Sequence, residues 1–110
     1  MHLHVGTRQE GPATVVEAVG ELDLHTAPML QTELDQAIDA HAALVVVDLG
    51  RVDFMDSTGL SVIVATVAAL RQQGGALRVV SSSDRITKVF TLTGVDQQVG
   101  MFGTVEEAVL

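Results

Sequence analysis

Apolar positions along this chain follow two rhythms, and their alternation predicts the order of elements. Leu3 to Thr7 and Thr14 to Val19 are short segments rich in Val and Thr, which suit strands. Gln9-Glu10-Gly11-Pro12 between them is a turn signal, so the two segments are expected to form a hairpin, with Gly20 ending the second strand. From Ala27 to about Ala40 the spacing changes. Leu30, Leu34, Ala37 and Ile38 now fall on one side of a helix. Thr26 is placed to cap it, and Pro28 lies in its first turn, where a missing N–H does no harm. Leu44 to Asp48 is a continuous aliphatic run, the pattern of a strand buried on both faces, and Leu49 to Asp56 reads as a short loop.

The second half repeats this alternation. A helix is expected from about Thr58 to Gln73, with Leu60, Ile63, Val64, Val67 and Leu70 as its stripe and Gly74-Gly75 as its stop. Ala76 to Val80 is another buried strand. Ser83 or Asp84 caps a third helix, in which Ile86, Val89 and Phe90 face inward and Gly94 closes the end. A short strand near Val99 to Phe102 precedes a last helix that opens with Thr104 and Glu107 at capping-box spacing. Strands alternating with helices imply parallel crossovers, and the opening hairpin adds an antiparallel edge. The prediction is a single α/β domain over residues 1–110: a mixed sheet of about four to five strands, an N-terminal antiparallel hairpin and about four helices.

Composition narrows the possible functions. A length of 110 residues fits one domain, and 47% hydrophobic residues make the chain globular. The net charge of −8 disfavours nucleic acid and anionic membrane, both of which reward Lys and Arg. Three Phe with no Trp or Tyr leave no stacking platform for single strands. With no Cys, disulfides, thiolate chemistry and Cys-based zinc sites are excluded. No signal peptide is visible, and the near-apolar run from Leu60 to Leu70 is too short to span a bilayer, so a cytoplasmic protein is expected.

The chemistry concentrates in Val52-Asp53-Phe54-Met55-Asp56-Ser57-Thr58-Gly59-Leu60, between a buried strand and a helix start. Junctions at strand C-termini form the functional edge of open α/β sheets. Ser57 is expected at or next to the N-cap of the second helix, its hydroxyl accepting from a free backbone N–H. A helix N-terminus also tolerates a phosphoserine. Modification there adds about −1.5 to −2 charges beside Asp53 and Asp56 without unfolding the helix.

Two motifs carry a family resemblance. Gly20-Glu21-Leu22-Asp23 followed by Thr26-Ala27 resembles the opening signature of the STAS domain of bacterial anti-sigma factor antagonists, and Phe54-Met55-Asp56-Ser57-Thr58-Gly59-Leu60 resembles its phosphorylation loop. The order of elements matches over essentially the whole chain. The resemblance implies a binding module, not an enzyme, with no cofactor and no metal. Its unphosphorylated form binds an anti-sigma factor, itself a serine kinase, and so frees a sigma factor. The kinase then uses ATP to phosphorylate Ser57, and a serine phosphatase reverses this. The implied partner-binding residues are Asp23, Asp53, Met55, Asp56, Thr58, Gly59, Leu60 and Ser61. Ser61 stands where the family often has Gly, which bears on the choice of kinase. A STAS module of a circuit without a sigma factor, acting as a signalling scaffold or a nucleotide-binding regulator, is the alternative. A monomer is expected, since no exposed apolar helix face stands out.

Other chemistries fit poorly. A nucleophile elbow wants Gly two residues before and after the serine; Gly59 meets this and Met55 does not. His2, His4, His25 and His41 offer no obvious triad partner. In an aspartic protease Gly would follow the hydroxyl residue directly, but Ser57 and Thr58 both separate Asp56 from Gly59. Asp48, Asp53 and Asp56 lack an EF-hand pattern, and no GxxxxGK loop is present.

Overall fold

The computed structural model describes residues 2–110. Five strands form one mixed sheet in chain order: β1 (Leu3–Glu10), β2 (Ala13–Leu22), β3 (Leu44–Met55), β4 (Ala76–Val80) and β5 (Gly100–Phe102). The β1–β2 hairpin is antiparallel, and every later pairing is parallel. The helices between the strands are α1 (Ala27–Asp39), α2 (Ser57–Gln72) and α3 (Asp84–Thr93); a short 3-10 turn, Val95–Gln97, precedes β5, and α4 (Val105–Ala108) ends the chain.

Periodicity dictates the layers. On one face Val16, Ala18, Val45, Val47, Leu49, Leu77 and Val79 pack with Leu30 and Leu34 of α1, Ile63 and Leu70 of α2, and Ile86 and Phe90 of α3. On the other, Ala13, Val15, Val46 and Val80 meet Ala108 of α4, with Phe102, Val105 and Val109 around them. The aliphatic run in β3 is buried from both sides for that reason. Gly94 closes α3 at φ 79°, as its position predicts. Thr104 accepts from the Glu107 amide at 3.2 Å, so the expected cap of α4 forms.

Three expectations need correction. The stretch from Leu49 to Asp56 is not a loop, since β3 continues to Met55. Beyond Asp48 the strand is buried on one face only: Leu49, Val52 and Met55 point inward, while Arg51, Asp53 and Phe54 are exposed. Charged residues at outward positions look like loop, whereas the pairing of Gly20, Glu21 and Leu22 of β2 with Val52, Phe54 and Met55 makes them strand. Accordingly β2 does not end at Gly20 but runs to Leu22, through two register shifts. Thr26 does not cap α1 with its side chain. Its hydroxyl instead donates to the Glu21 carbonyl at 2.7 Å and accepts from the Asp23 amide at 2.9 Å.

Candidate functional site

β3 passes into α2 through a single residue, Asp56, whose extended backbone (φ −103°, ψ −174°) redirects the chain. The Asp56 amide donates to the Leu22 carbonyl at 3.1 Å, which ties the junction to the end of β2. Asp56 Oδ1 accepts from the amides of Thr58 (2.9 Å) and Gly59 (3.2 Å). The cap is therefore Asp56; Ser57 stands next to it, as expected, but its hydroxyl does not supply the cap bond. An ionised carboxylate is the stronger acceptor and favours the positive end of the helix. Replacing Asp56 with Ala should cost about 1 kcal/mol of stability, read as a drop in the thermal midpoint by circular dichroism.

This assignment frees Ser57. It is the first helical residue, it is exposed, and its hydroxyl is not needed for the cap. Its carbonyl accepts from the Ser61 hydroxyl at 2.9 Å. Two of the free amides at this helix end already serve Asp56. Asp53, Asp56, Ser57, Thr58 and Ser61 are all at least partly exposed here.

The other predicted site residues lie beneath this surface. Met55 and Leu60 are buried in the core, and so is Gly59. A Cβ on Gly59 would meet Leu22 Cγ at 2.6 Å and Met55 Cγ at 3.1 Å, so glycine lets α2 sit on the end of β2. These three shape the junction and cannot present side chains without rearrangement. Asp23 is buried too, at 5% exposure. Its Oδ1 accepts from the amides of His25 (2.9 Å) and Thr26 (3.0 Å) and lies 3.2 Å from the Thr26 hydroxyl. The carboxylate thus sets the β2–α1 turn from inside.

Burial pushes the Asp23 carboxyl upward, but bonds from the Thr26 and His25 amides and the Thr26 hydroxyl, with the His25 charge, bring it below its usual value of 3.8. A carboxyl lowered in the folded state supports stability above its unfolded value and loses that support as pH falls through the folded one. Asp23→Asn should therefore give a flatter loss of stability at acid pH below about 4, measured as urea midpoint against pH for both proteins.

Two features were not anticipated from sequence. Arg85 at the start of α3 donates to the Asp53 carbonyl at 3.3 Å and braces the end of β3. Leu24 and Phe54 are large apolar side chains left 66% and 42% exposed near this edge. For Phe54 strand period alone gives the wrong face, since it would place Phe54 with the inward Val52; the register shift between Gly20 and Glu21 turns it outward. Between Gln9 and Leu70 the only Lys or Arg is Arg51. Both α1 and the site-bearing part of α2 are therefore free of cationic Lys and Arg. Among the described residues no three His, Asp or Glu converge as a metal site. No helix there is long and apolar enough to cross a membrane.

A mixed sheet opened by a hairpin, with an exposed serine directly after the carboxylate cap of the β3–α2 junction, defines a small α/β module. The chain belongs to the STAS domain family, whose model matches residues 4–108. It is 35% identical over 95 residues to the anti-sigma-B factor antagonist of Bacillus subtilis (strain 168), covering 86% of each chain. It is 36% identical to the protein of that name from Staphylococcus aureus (strain NCTC 8325 / PS 47), covering 86% of this chain and 88% of that one. The crystal structure of an anti-sigma factor antagonist from Mycobacterium paratuberculosis superposes with a TM-score of 0.92 at 27% identity, over 98% of this chain and 92% of that one.

Proposed function

We propose that this protein is an anti-sigma factor antagonist switched at Ser57. In this reading the unphosphorylated form binds an anti-sigma factor serine kinase in the cytoplasm and thereby releases a sigma factor. The kinase transfers the terminal phosphoryl group of ATP to the Ser57 hydroxyl, the hydroxyl proton is lost and ADP leaves. A serine phosphatase hydrolyses the ester and restores binding. The protein acts by occupancy, not by catalysis.

One observation carries the reading: Ser57 is exposed directly after a carboxylate cap that already holds the helix end. Two consequences support it. A kinase can reach the hydroxyl without undoing the cap. The added charge falls next to Asp56 and near Asp53, where no compensating cation is bonded to either carboxylate among the described residues. The names of the two relatives support the antagonist part of this reading.

The test is capture from native lysate with Ser57→Ala and Ser57→Asp baits, read by mass spectrometry, together with phosphopeptide mapping of the wild type. An ATP-binding kinase held by the Ala bait and lost by the Asp bait is the expected result. Recovery of the same proteins by both baits, or a phosphate on another residue, would sink the switch. Partners without a sigma factor among them would move the module to a different circuit, as a scaffold or a nucleotide-binding regulator.

A further inference from the structure

The two lateral edges of the sheet are finished differently. β5 is three residues long and runs on towards α4. β1 is eight residues long, pairs with β2 in unbroken register, and contains no Pro or bulge; its charges, Arg8 and Glu10, are confined to the turn end and pair with each other. Native sheets usually blunt an edge with one of those devices. Hydrogen-bonding direction alternates along an antiparallel strand. The His2 carbonyl accepts from Glu21, and Glu10 opposite Ala13 closes the turn, so the even-numbered residues face β2. Leu3, Val5, Thr7 and Gln9 therefore point their amides and carbonyls away from the sheet. Among the described residues those groups have no backbone partner.

We propose that β1 pairs antiparallel with β1 of a second copy of this chain, with Thr7 on the two-fold axis, to make one continuous sheet. Charge selects this register. Gly6 lies beside Glu17 of β2. In the pairing, Gly6 also faces Arg8 of the second copy, and His4 faces Glu10 of the second copy. All four β1 positions are on the sheet face away from α1, α2 and α3. A Cβ at Gly6 would meet nothing within 4 Å, and a hollow of about 240 Å³ lined by Gly6, Thr7, Arg8 and Glu17 opens there. Arg8 of the second copy can extend over Gly6 to Glu17, two strands or about 10 Å away, a gap that Arg and Glu bridge from both ends. The two-fold axis repeats this bridge.

Nothing in the free chain holds Arg8 firmly. Its present partner is Glu10 at 3.0 Å, with side-chain exposures of 45% and 42%. Such a surface pair is worth little and exchanges readily. On the helical side the hydroxyl of each Thr7 donates to Glu33 at 2.8 Å, so the two Glu33 carboxylates would approach the axis. They remain solvated there, where like charges repel weakly. A monomer was the expectation from helix faces, but an open strand edge is a backbone feature that such patterns do not report. Ser57 lies at the end of β3, two strands from this edge, so pairing leaves it open on both copies. The inference is independent of the switch at Ser57.

Light scattering and sedimentation equilibrium on the full chain test it. Wild type should dimerise. Arg8→Glu should weaken the dimer by roughly tenfold, the sum of two exposed bridges. Arg8→Glu combined with Glu17→Arg should restore it. Thr7→Pro removes the outward amide and, with it, the exposed hydroxyl bond to Glu33; it should give a folded monomer, with circular dichroism confirming the fold and Thr7→Val, which loses the hydroxyl bond alone, still dimerising. A wild type that stays monomeric overturns the proposal. So does an Arg8→Glu protein that dimerises as tightly as wild type, a double variant that does not recover, or a folded Thr7→Pro dimer.

Discussion

Ser57→Asp is expected to weaken binding of the anti-sigma factor kinase by up to about a thousandfold, while Ser57→Ala binds as wild type does. Like charges about 4 Å apart cost up to about 4 kcal/mol at an effective dielectric near 20. That energy turns a micromolar complex into a roughly millimolar one. The geometry directs the whole effect outward. Asp56 already occupies the amides of Thr58 and Gly59. The helix end therefore has little capacity left to absorb a second anion, and the new charge faces whatever docks there. For the same reason the fold should survive. The thermal midpoint of Ser57→Asp should stay within a few degrees of wild type, about 1 kcal/mol or less. Titration calorimetry with the kinase and a melting curve check the two halves. Equal affinity of the Asp and Ala forms would leave Ser57 as an ordinary surface residue. A large fall in melting temperature would mean that the charge acts on the fold.

Gly20→Ala is expected to be the most damaging change in the first motif, with a loss of at least about 3 kcal/mol. Gly20 adopts φ 122°, a backbone conformation that side chains rarely take. A Cβ there would also collide with the His2 carbonyl. That carbonyl already accepts from the Glu21 amide at 2.9 Å, so β1 and β2 are drawn together at this point. The position coincides with a register shift between β2 and β3. Relief of the clash would pull Glu21 and Leu22 away from Phe54 and Met55 and so loosen the junction that carries Ser57. The expected fall in thermal midpoint is roughly 10–20 °C for a chain of this length. A fall of a degree or two would show that β1 can shift aside. Kinase binding should decline in step with stability, since no partner touches Gly20 in the proposed mechanism.

Gly20 and Gly59 show how much of the site was legible. Both stand in motifs that resemble the family, yet the motif does not tell a contact from a support. Gly59 is glycine because Leu22 fills the space above it, and Leu22 is 37 residues earlier in the chain. Asp23 and Asp56 look alike as acidic members of two motifs. The structure buries one inside the β2–α1 turn and sets the other at the start of α2, where both hold backbone amides. Ser57 and Asp56 competed for one cap, and spacing alone does not decide between neighbours. The stronger acceptor took the cap, which left the serine hydroxyl free.

Periodicity and turn residues by themselves determined the element order, the opening hairpin, the inward faces of α1, α2 and α3, and the place of the serine at a strand-to-helix junction. These follow from local chemistry: a side chain's direction repeats every two residues in a strand and every 3.6 in a helix. Only the tertiary structure decided how far β2 and β3 run, because strand beyond the double-buried run is recognised by its pairing partner and not by its own residues. It alone separated exposed Asp53, Ser57 and Ser61 from buried Asp23, Met55, Gly59 and Leu60. It alone brought Arg85 to the Asp53 carbonyl and left the outer edge of β1 open. Each of these depends on which distant segment lies alongside, and that is settled when the sheet and its helices close on a common core.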